Sequence, residues 1–353
     1  EENNNNPPTK RKKETYHLAA NNDPHHLHGG PLGFSHRMWK AIQKNQQEIT
    51  FTLTSQDGDE GYPATIHVSA TYKLTSITLK TTTTTSSFPS VSLQLTMHAS
   101  LVDSHPCQKS TPVNLAQHTY FNLAGHDAAR GILDHVVHLP STHYTPTDAF
   151  AIPTREVRSL DQDPCMDFRG TAGRPMAKAL VEYVMENTGF TSDQAMAYLD
   201  ATRDGKDFGT SGNGGIKSGT KYGFDHNYVI RHQEEAGEGL HVAGTVTHVD
   251  SGRKLTVLTD APGVQFYTGN YLDRTLGGCK SGVKYGQWQG LCLETQHFPD
   301  SIDCQECKQD DDETASPEFG KGACFILKPG GRDYVHNVEY RFDFFRKPEK
   351  ENS

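Results

Sequence analysis

Short stretches in which apolar and polar residues alternate make up most of this 353-residue chain. The alternation is clearest in 48–75, which reads as a strand, a glycine-rich turn and a second strand, and it returns in 90–100, 241–261 and 338–345. Successive side chains of a strand point to opposite faces, so this period of two predicts half-buried β-strands. The segment DSGRK at 250–254 predicts a hairpin turn.

Helical patterns are scarce. The segments PMAKALVEYVME at 175–186 and SDQAMAYLDATR at 192–203 are the two candidates, and both are short. Many short strands with few helices predict an all-β sandwich or barrel rather than a fold of alternating strands and helices.

Three polar, turn-rich stretches show neither the strand nor the helix periodicity of apolar residues: 81–90, 204–221 and 308–318. They are predicted to be surface loops inserted between strands. A phosphate-binding loop comes after a strand and before a helix. The glycines at 209–215 have neither neighbour, so they do not predict such a loop.

The overall charge of the chain bears on which classes of molecule it can bind. A formal net charge of −9 argues against nucleic acid, because binding phosphates requires clustered lysine and arginine. The basic run KRKK at 10–13 lies within 1–14, an Asn-rich segment predicted to be disordered. No apolar run is long enough to cross a membrane. Seven cysteines do not suggest a disulfide framework, and we expect a cytosolic protein.

Two short motifs could suggest a metal. CQEC at 304–307 has ligand-like spacing, but no second cysteine or histidine pair accompanies it. HHLH at 25–28 has no carboxylate motif beside it. We therefore expect no metal site.

The segment QHTYFNLAGH at 117–126 alternates as a strand until Gly125. His118, Tyr120 and Asn122 would share one face, which places a row of hydrogen-bonding groups on a strand that should be half buried. Four further segments have polar residues where a one-sided strand would hold apolar ones, and the residues in question are His28, Asp225, Gln265 and Glu294.

Each of these residues alone has an ordinary structural explanation. A strand histidine is often a hydrogen-bonded structural group, an aspartate near a strand end often caps a turn, and a glutamine often bonds neighbouring backbone. Glu294 is the exception, since it lies in an otherwise apolar strand and burying a carboxylate is costly. Burial raises a carboxyl pKa towards neutrality, which suits a general base. With His118 as a proton donor and polar groups for hydroxyls beside them, the pattern favours a sugar as the substrate.

Together these segments resemble the aldose 1-epimerase, or galactose mutarotase, family. The resemblance rests on HLHGGPLGF, NLAQHTYFNLAG, GFDHNYVI, PGVQFYTGNYLD and GLCLETQHFPDSI, in the family's order, and on the C-terminal LKPGGRDYVHNVEYRF. It covers about residues 15 to 345. It implies a large β-sandwich of the galactose mutarotase type, with a sugar cleft on one face and no cofactor or metal.

The resemblance also implies a role for each residue. Glu294 would be the general base and His118 the general acid in opening and closing the sugar ring. The sugar hydroxyls would be held by His28, Asp225 and Gln265, and Tyr120 would line the cleft. The expected substrates are free aldohexoses, glucose or galactose, and the expected assembly is a monomer or homodimer.

One feature departs from the family. There, further strands with an Asn-Arg pair that contacts the sugar precede this region, and no Asn-Arg precedes it here. The expected domain is 15–346 without those N-terminal strands, with 347–353 as a tail, so the chain is expected to be a fragment or a divergent family member.

Two other functions stay open. One is a non-catalytic sugar-binding or regulatory protein on the same scaffold, because a fold does not determine a function. The other is an epimerase of hexose 6-phosphates, which would need cations around the cleft. Arg274, directly after PGVQFYTGNYLD, is the candidate.

Overall fold

Antiparallel β-strands form most of the computed structural model, which describes residues 14–78, 89–102, 109–205, 208, 221–230, 239–277, 282–302 and 323–345. The strands within these ranges are β1 Lys40–Gln43, β2 Glu48–Ser55, β3 Ile66–Thr78, β4 Pro89–Leu101, β5 Thr111–Pro112, β6 His135–His138, β7 His143–Thr145, β8 Arg158–Ser159, β9 Arg174–Pro175, β10 Asp225–Val229, β11 His241–His248, β12 Arg253–Thr259, β13 Gly263–Tyr267, β14 Asp273–Gly277, β15 Lys284–Gly286, β16 Cys292–Gln296, β17 Ile326–Leu327 and β18 Tyr334–Phe344. The helices are α1 Met176–Thr188 and α2 Ser192–Arg203, with 3-10 turns at Phe34–His36, Asp59–Gly61 and Pro164–Met166.

The strands of these ranges form two main sheets. A nine-stranded sheet has the order β1-β2-β3-β4-β18-β12-β11-β6-β9, and a five-stranded sheet has the order β16-β13-β10-β7-β8. The two-stranded pairs β14-β15 and β17-β5 complete the described sheet structure. The all-β sandwich predicted from the period of two is therefore confirmed.

The inner faces of the two main sheets share one apolar core. Val246 and Val257 of the nine-stranded sheet belong to the same buried cluster as Phe266 and Leu293 of the five-stranded sheet. At Gly244 of β11 the sheets are so close that an added Cβ would lie 3.5 Å from Cδ1 of Leu293. The inner face of the smaller sheet therefore packs against this core.

Both predicted helices are confirmed. Helix α1 buries Met176, Ala179, Leu180 and Val184, an apolar stripe at helical spacing, and ends at Gly189 in the left-handed conformation with φ 72°. Helix α2 begins with a capping box, in which the Thr191 side chain accepts from the backbone of the third helical residue, Gln194, and the Gln194 side chain accepts in return. No helix of the described residues is long and apolar enough to cross a membrane.

The predicted strands 48–75, 90–100, 241–261 and 338–345 are all present. Their registers include the hairpin around 250–254, where His248 of β11 pairs with Arg253 of β12. The surface-loop prediction for 81–90 is wrong at its end, because the strand β4 already begins at Pro89. Several predicted segments lie outside the described residues. They are the rest of 81–90, nearly all of 204–221, the whole of 308–318, CQEC at 304–307, and the predicted tails before residue 14 and after residue 345.

Two local predictions near the site are also wrong. The segment 117–126 is not a regular strand, since it pairs with the sheet only through an isolated bridge between Phe121 and Leu291. The segment 27–34 is not strand-like at His28, which lies in a turn with φ 52°. In both cases the polar pattern is real, but the backbone does not find a continuous neighbouring strand to pair with.

Candidate active site

Glu294 occupies the centre of β16, on the face of the five-stranded sheet turned away from the core. Its neighbours Leu293 and Thr295 point into the core, where Leu293 belongs to the main cluster and Thr295 bonds His336 at 3.0 Å. Glu294 is directly opposite Gln265 of β13, so the two side chains share a face. With 8% of its surface exposed, Glu294 is a buried carboxyl beside a cleft.

His118 is held next to β16 by the bridge that replaces the predicted strand. The Phe121 amide donates to the Leu291 carbonyl at 2.7 Å, and the Leu291 amide donates back at 3.0 Å. This places His118 Nε2 3.5 Å from Glu294 Oε1. On the other side of the ring, His118 Nδ1 lies 3.5 Å from Cys292 Sγ. The predicted pair of an imidazole and a carboxylate is therefore in contact.

The predicted alternation of 117–126 holds for its side chains as far as Phe121, although not for its backbone, and it is wrong for Asn122. Exposed and partly buried positions alternate from Asn114 to Phe121, with His118 and Tyr120 on the exposed side. The rings of these two residues stack with centroids 5.1 Å apart and an angle of 22° between planes. His28, from the turn near the N-terminus, meets His118 edge-on with ring centroids 5.8 Å apart. Asn122 turns away and donates to the Gln289 carbonyl at 3.0 Å.

Asp225 and Gln265 lie on the same outer face, on β10 and β13. Gln265 Nε2 donates to Asp225 Oδ1 at 2.7 Å. The register Asn227–Gln265–Glu294 runs straight across the three strands, and Asp225 lies two residues from Asn227 along β10. All six predicted site residues therefore lie around one side of the small sheet: His28, His118, Tyr120, Asp225, Gln265 and Glu294.

The surroundings shift the acid–base properties of these groups. Burial and, to a smaller extent, the charge of Asp225 together raise the pKa of Glu294 to about 8. Burial also raises the pKa of Asp225, against the hydrogen bond from Gln265 that lowers it. For His118, burial lowers the pKa below the ordinary value of about 6.5, and the nearby His28 lowers it too.

These opposite shifts mean that His118 and Glu294 together hold one proton at neutral pH. The shifts favour the form in which the proton is on the carboxyl and both groups are uncharged. Moving it to the imidazole would create a carboxylate base and an imidazolium acid without exchange with solvent. Two titrating groups this close behave as one unit with shared pKa values.

Four residues on this face were not singled out from the sequence: Asn227, Tyr267, Cys292 and Gln296. Each lies two positions from a predicted residue, so the strand period of two could have indicated them. Tyr267 lies opposite both Asp225 and Cys292. Its hydroxyl accepts from the Tyr271 amide at 2.8 Å, and its ring meets that of Tyr120 at 6.0 Å.

Three of the side chains offer atoms of the kinds that bind metal ions. One ligand atom each from His118, Cys292 and Glu294 lies within 4.8 Å of the others. Burial and the charge of Glu294 raise the pKa of the Cys292 thiol, which keeps it protonated at neutral pH. Binding of a metal by Cys292 would require its thiolate form. In the HHLH segment, His26 Nε2 is hydrogen-bonded to the Tyr62 hydroxyl at 2.9 Å.

Comparison with known proteins identifies the family of this chain. The model of the family described as aldose 1-epimerase matches residues 10–104 and 94–330. The chain belongs to the aldose 1-epimerase family. It is 32% identical over 328 residues to human galactose mutarotase, and the aligned region covers 92% of this chain and 71% of that protein. It is 30% identical over 330 residues to the aldose 1-epimerase of Escherichia coli, covering 92% and 72%.

Solved structures of the aldose 1-epimerase family share the fold. The aldose epimerase homologue from C. elegans aligns with a TM-score of 0.61 and 20% identity, over 94% of this chain and 76% of that one. Galactose 1-epimerase from Lactobacillus acidophilus aligns with a TM-score of 0.57 and 19% identity, over 96% and 75%. The expected sandwich of the galactose mutarotase type is therefore confirmed.

Proposed function

We propose that this protein is an aldose 1-epimerase that interconverts the α and β anomers of free aldohexoses such as glucose and galactose. The observation that carries the proposal is the contact of 3.5 Å between His118 and Glu294 on the polar face of the small sheet. An imidazole and a carboxyl of opposite pKa shift, next to groups suited to bind hydroxyls, form an acid–base pair for a sugar.

In the proposed reaction Glu294, as the carboxylate, takes the proton of the C1 hydroxyl, and His118 gives a proton to the ring oxygen. The bond between C1 and the ring oxygen breaks, leaving an aldehyde at C1 and a hydroxyl at C5. Rotation about C1–C2 presents the other face of the carbonyl. The C5 hydroxyl then returns its proton to His118, Glu294 protonates the aldehyde oxygen, and the opposite anomer closes.

The other residues serve to orient the sugar. In this proposal the hydroxyls are bound by Asp225, which accepts a hydrogen bond from Gln265, and by His28, which meets His118 edge-on. Tyr120 offers an exposed ring beside His118, where the apolar face of a pyranose can lie. Fixing the sugar relative to the acid and base lowers the entropic part of the barrier.

The alternative substrate, a hexose 6-phosphate, has less support. Its binding would need a cation at the cleft, and Arg274 was the candidate. The Arg274 guanidinium donates instead to the carbonyl of Arg203. A Cβ at Gly205 would meet its Nε at 2.8 Å, so this side chain packs against the end of α2.

The test is polarimetry on freshly dissolved α-D-glucose and α-D-galactose, with the variant Glu294→Gln beside the unaltered protein. We expect the rotation to reach its equilibrium value faster with the unaltered protein than with the variant. Equal rates for both, combined with measurable sugar binding, would favour the non-catalytic sugar-binding protein.

The cytosol remains our proposal for the location. Cys165 and Cys292 are free thiols, whereas Cys324 is disulfide-bonded. Disulfides persist mainly in oxidising compartments, so Cys324 weighs against this proposal. Fractionation of cells followed by detection with an antibody would test it, and a secreted pool alone would contradict it.

A further inference from the structure

Below the proposed sugar site, three side-chain amides and one carboxyl form a chain of hydrogen bonds across three strands. Gln296 Nε2 donates to Gln265 Oε1 at 3.3 Å and to Asn227 Oδ1 at 3.4 Å. Gln265 in turn donates from Nε2 to Asp225 Oδ1 at 2.7 Å. Asn227 is 1% exposed and Gln296 is 8% exposed, whereas Gln265 and Asp225 are partly exposed, so the relay runs from the buried side of the sheet towards the cleft.

The direction of every bond in the relay follows from one group. An ionised aspartate can only accept, so Gln265 must turn its amide nitrogen towards Asp225 and its oxygen towards Gln296. Gln296 must then offer its own nitrogen, which serves both Gln265 and Asn227. Reversing any amide would place two donors or two acceptors face to face in a buried place, where an unmade hydrogen bond costs the most.

The backbone of β13 leaves room for this arrangement. Gly263 is the residue opposite Gln296, between the strands that carry Asn227 and Gln296. A Cβ at Gly263 would lie 2.4 Å from Asn227 Oδ1, closer than non-bonded atoms allow. The glycine therefore lets the Asn227 amide lie over β13 towards Gln296. The Asn227 nitrogen has no partner among the described residues, so the relay ends there.

From this geometry we propose that Gln296 is a positioning residue that fixes the orientation of the Gln265 amide, and through it Asp225, for binding sugar hydroxyls. The inference rests on the proposed function, which it extends by a residue that does not itself touch the substrate. Gln296 should therefore govern the affinity for the sugar and leave the proton transfers of Glu294 and His118 unaffected.

The test compares Gln296→Met and Gln296→Glu by polarimetry over a range of galactose concentrations, with calorimetric titration of galactose as a second measurement. Methionine keeps the length of the side chain without its hydrogen bonds. We expect the KM of Gln296→Met to rise by about three- to tenfold, the value of one or two buried hydrogen bonds, with kcat changed by less than about threefold. The pH limits of activity should not move.

Gln296→Glu should raise the KM further, because a carboxylate facing Gln265 Oε1 would force that amide to turn its oxygen towards Asp225. In a Gln265→Met background, Gln296→Met should raise the KM by less than about a further twofold. Gln296 acts on Asp225 through the Gln265 amide, which is already absent in that background. The matched control is Gln287→Met, a second buried glutamine, 4% exposed, which bonds the Tyr222 carbonyl outside the relay. It should lower the melting temperature without raising the KM.

The outcomes separate the two proposals. If Gln296→Met melts earlier than the unaltered protein but keeps its KM and its dissociation constant for galactose, Gln296 is only structural and the inference is wrong. Independent, additive effects of Gln265→Met and Gln296→Met would also overturn it. If the unaltered protein neither converts nor binds galactose, it is the proposed function that fails.

Discussion

His118 Nε2 lies 3.5 Å from Glu294 Oε1, although the two residues come from distant parts of the chain. This is longer than the 2.7–2.9 Å or so of a charge-assisted hydrogen bond. It is a distance typical of catalytic groups before substrate binds, when hydrogen bonds are often long. Burial lowers the pKa of one group and raises that of the other, so the pair holds a single proton over a window around neutral pH.

The first prediction concerns the pH dependence of activity. The working form of the pair carries one proton, so activity should be lost on both sides of a maximum. As the pH falls through the lowered pKa of His118, below about 6.5, both groups become protonated and no base remains. As the pH rises through the pKa of Glu294, about 8, no acid remains. The measurement is kcat/KM for galactose by polarimetry from acid to alkaline pH, corrected for the uncatalysed rate. A profile that still rises well above the pKa of Glu294 would contradict the pairing.

Substitution of the pair itself should remove most of the catalysis. Glu294→Gln and His118→Asn are each expected to reduce kcat by about 10²–10⁴-fold, the usual contribution of a positioned proton-transfer group. The KM should change less, because neither variant alters Asp225 or Gln265. The rate is followed by polarimetry at saturating sugar.

The chain offers a matched control for each of these variants. Glu339 is also buried, at 6% exposure, but pairs with Arg341 on the nine-stranded sheet. His98 lies on the same sheet and pairs with Asp333 at 3.0 Å. Glu339→Gln and His98→Asn should keep kcat near that of the unaltered protein. A loss as large as that of Glu294→Gln would mean that the effect is one of folding.

Asp225→Asn should move the alkaline limit of activity. The charge of Asp225 raises the pKa of Glu294, so its removal should lower that pKa and shift the alkaline limb to lower pH. It should also raise the KM, because a hydroxyl acceptor is lost. The two effects are read from one pH series of kcat and KM. An unmoved alkaline limb would show that burial alone determines the pKa of Glu294.

The buried carboxyl should also make stability depend on pH. The pKa of Glu294 is about 8 in the folded protein and about 4.3 in the unfolded chain, so unfolding releases a proton between these values. The free energy of unfolding should therefore fall as the pH rises through this window, and the contribution of the protonated carboxyl is lost above it.

Glu294→Gln removes this dependence, because an amide does not ionise. Compared with the unaltered protein, its melting temperature should be higher by about 2 °C or more at alkaline pH, with a smaller difference at acid pH. Scanning calorimetry at several pH values measures this, with Glu339→Gln as the control. A difference that does not grow with pH would contradict the assignment of Glu294 as a buried, uncharged acid.

Much of the fold could be predicted because local patterns agree with the final packing. The alternation in 48–75 becomes β2 and β3, and the helical pattern of 192–203 becomes α2. The prediction for 117–126 failed because the period of two describes side-chain faces and not hydrogen bonding. The side chains alternate in exposure as far as Phe121, while the backbone meets the sheet only at that residue.

By itself the sequence determined which side chains share a face of a strand, since this depends only on the geometry of the extended chain. The carboxyl of Glu294 was thus recognisable as misplaced among apolar residues before any neighbour was known. Only the tertiary structure decided which faces meet: the bridge that holds His118 against β16, the turn that brings His28 to it, and the relay from Asn227 to Asp225. These contacts join residues far apart in the chain, and register and packing, which no local pattern contains, determine the distances between them.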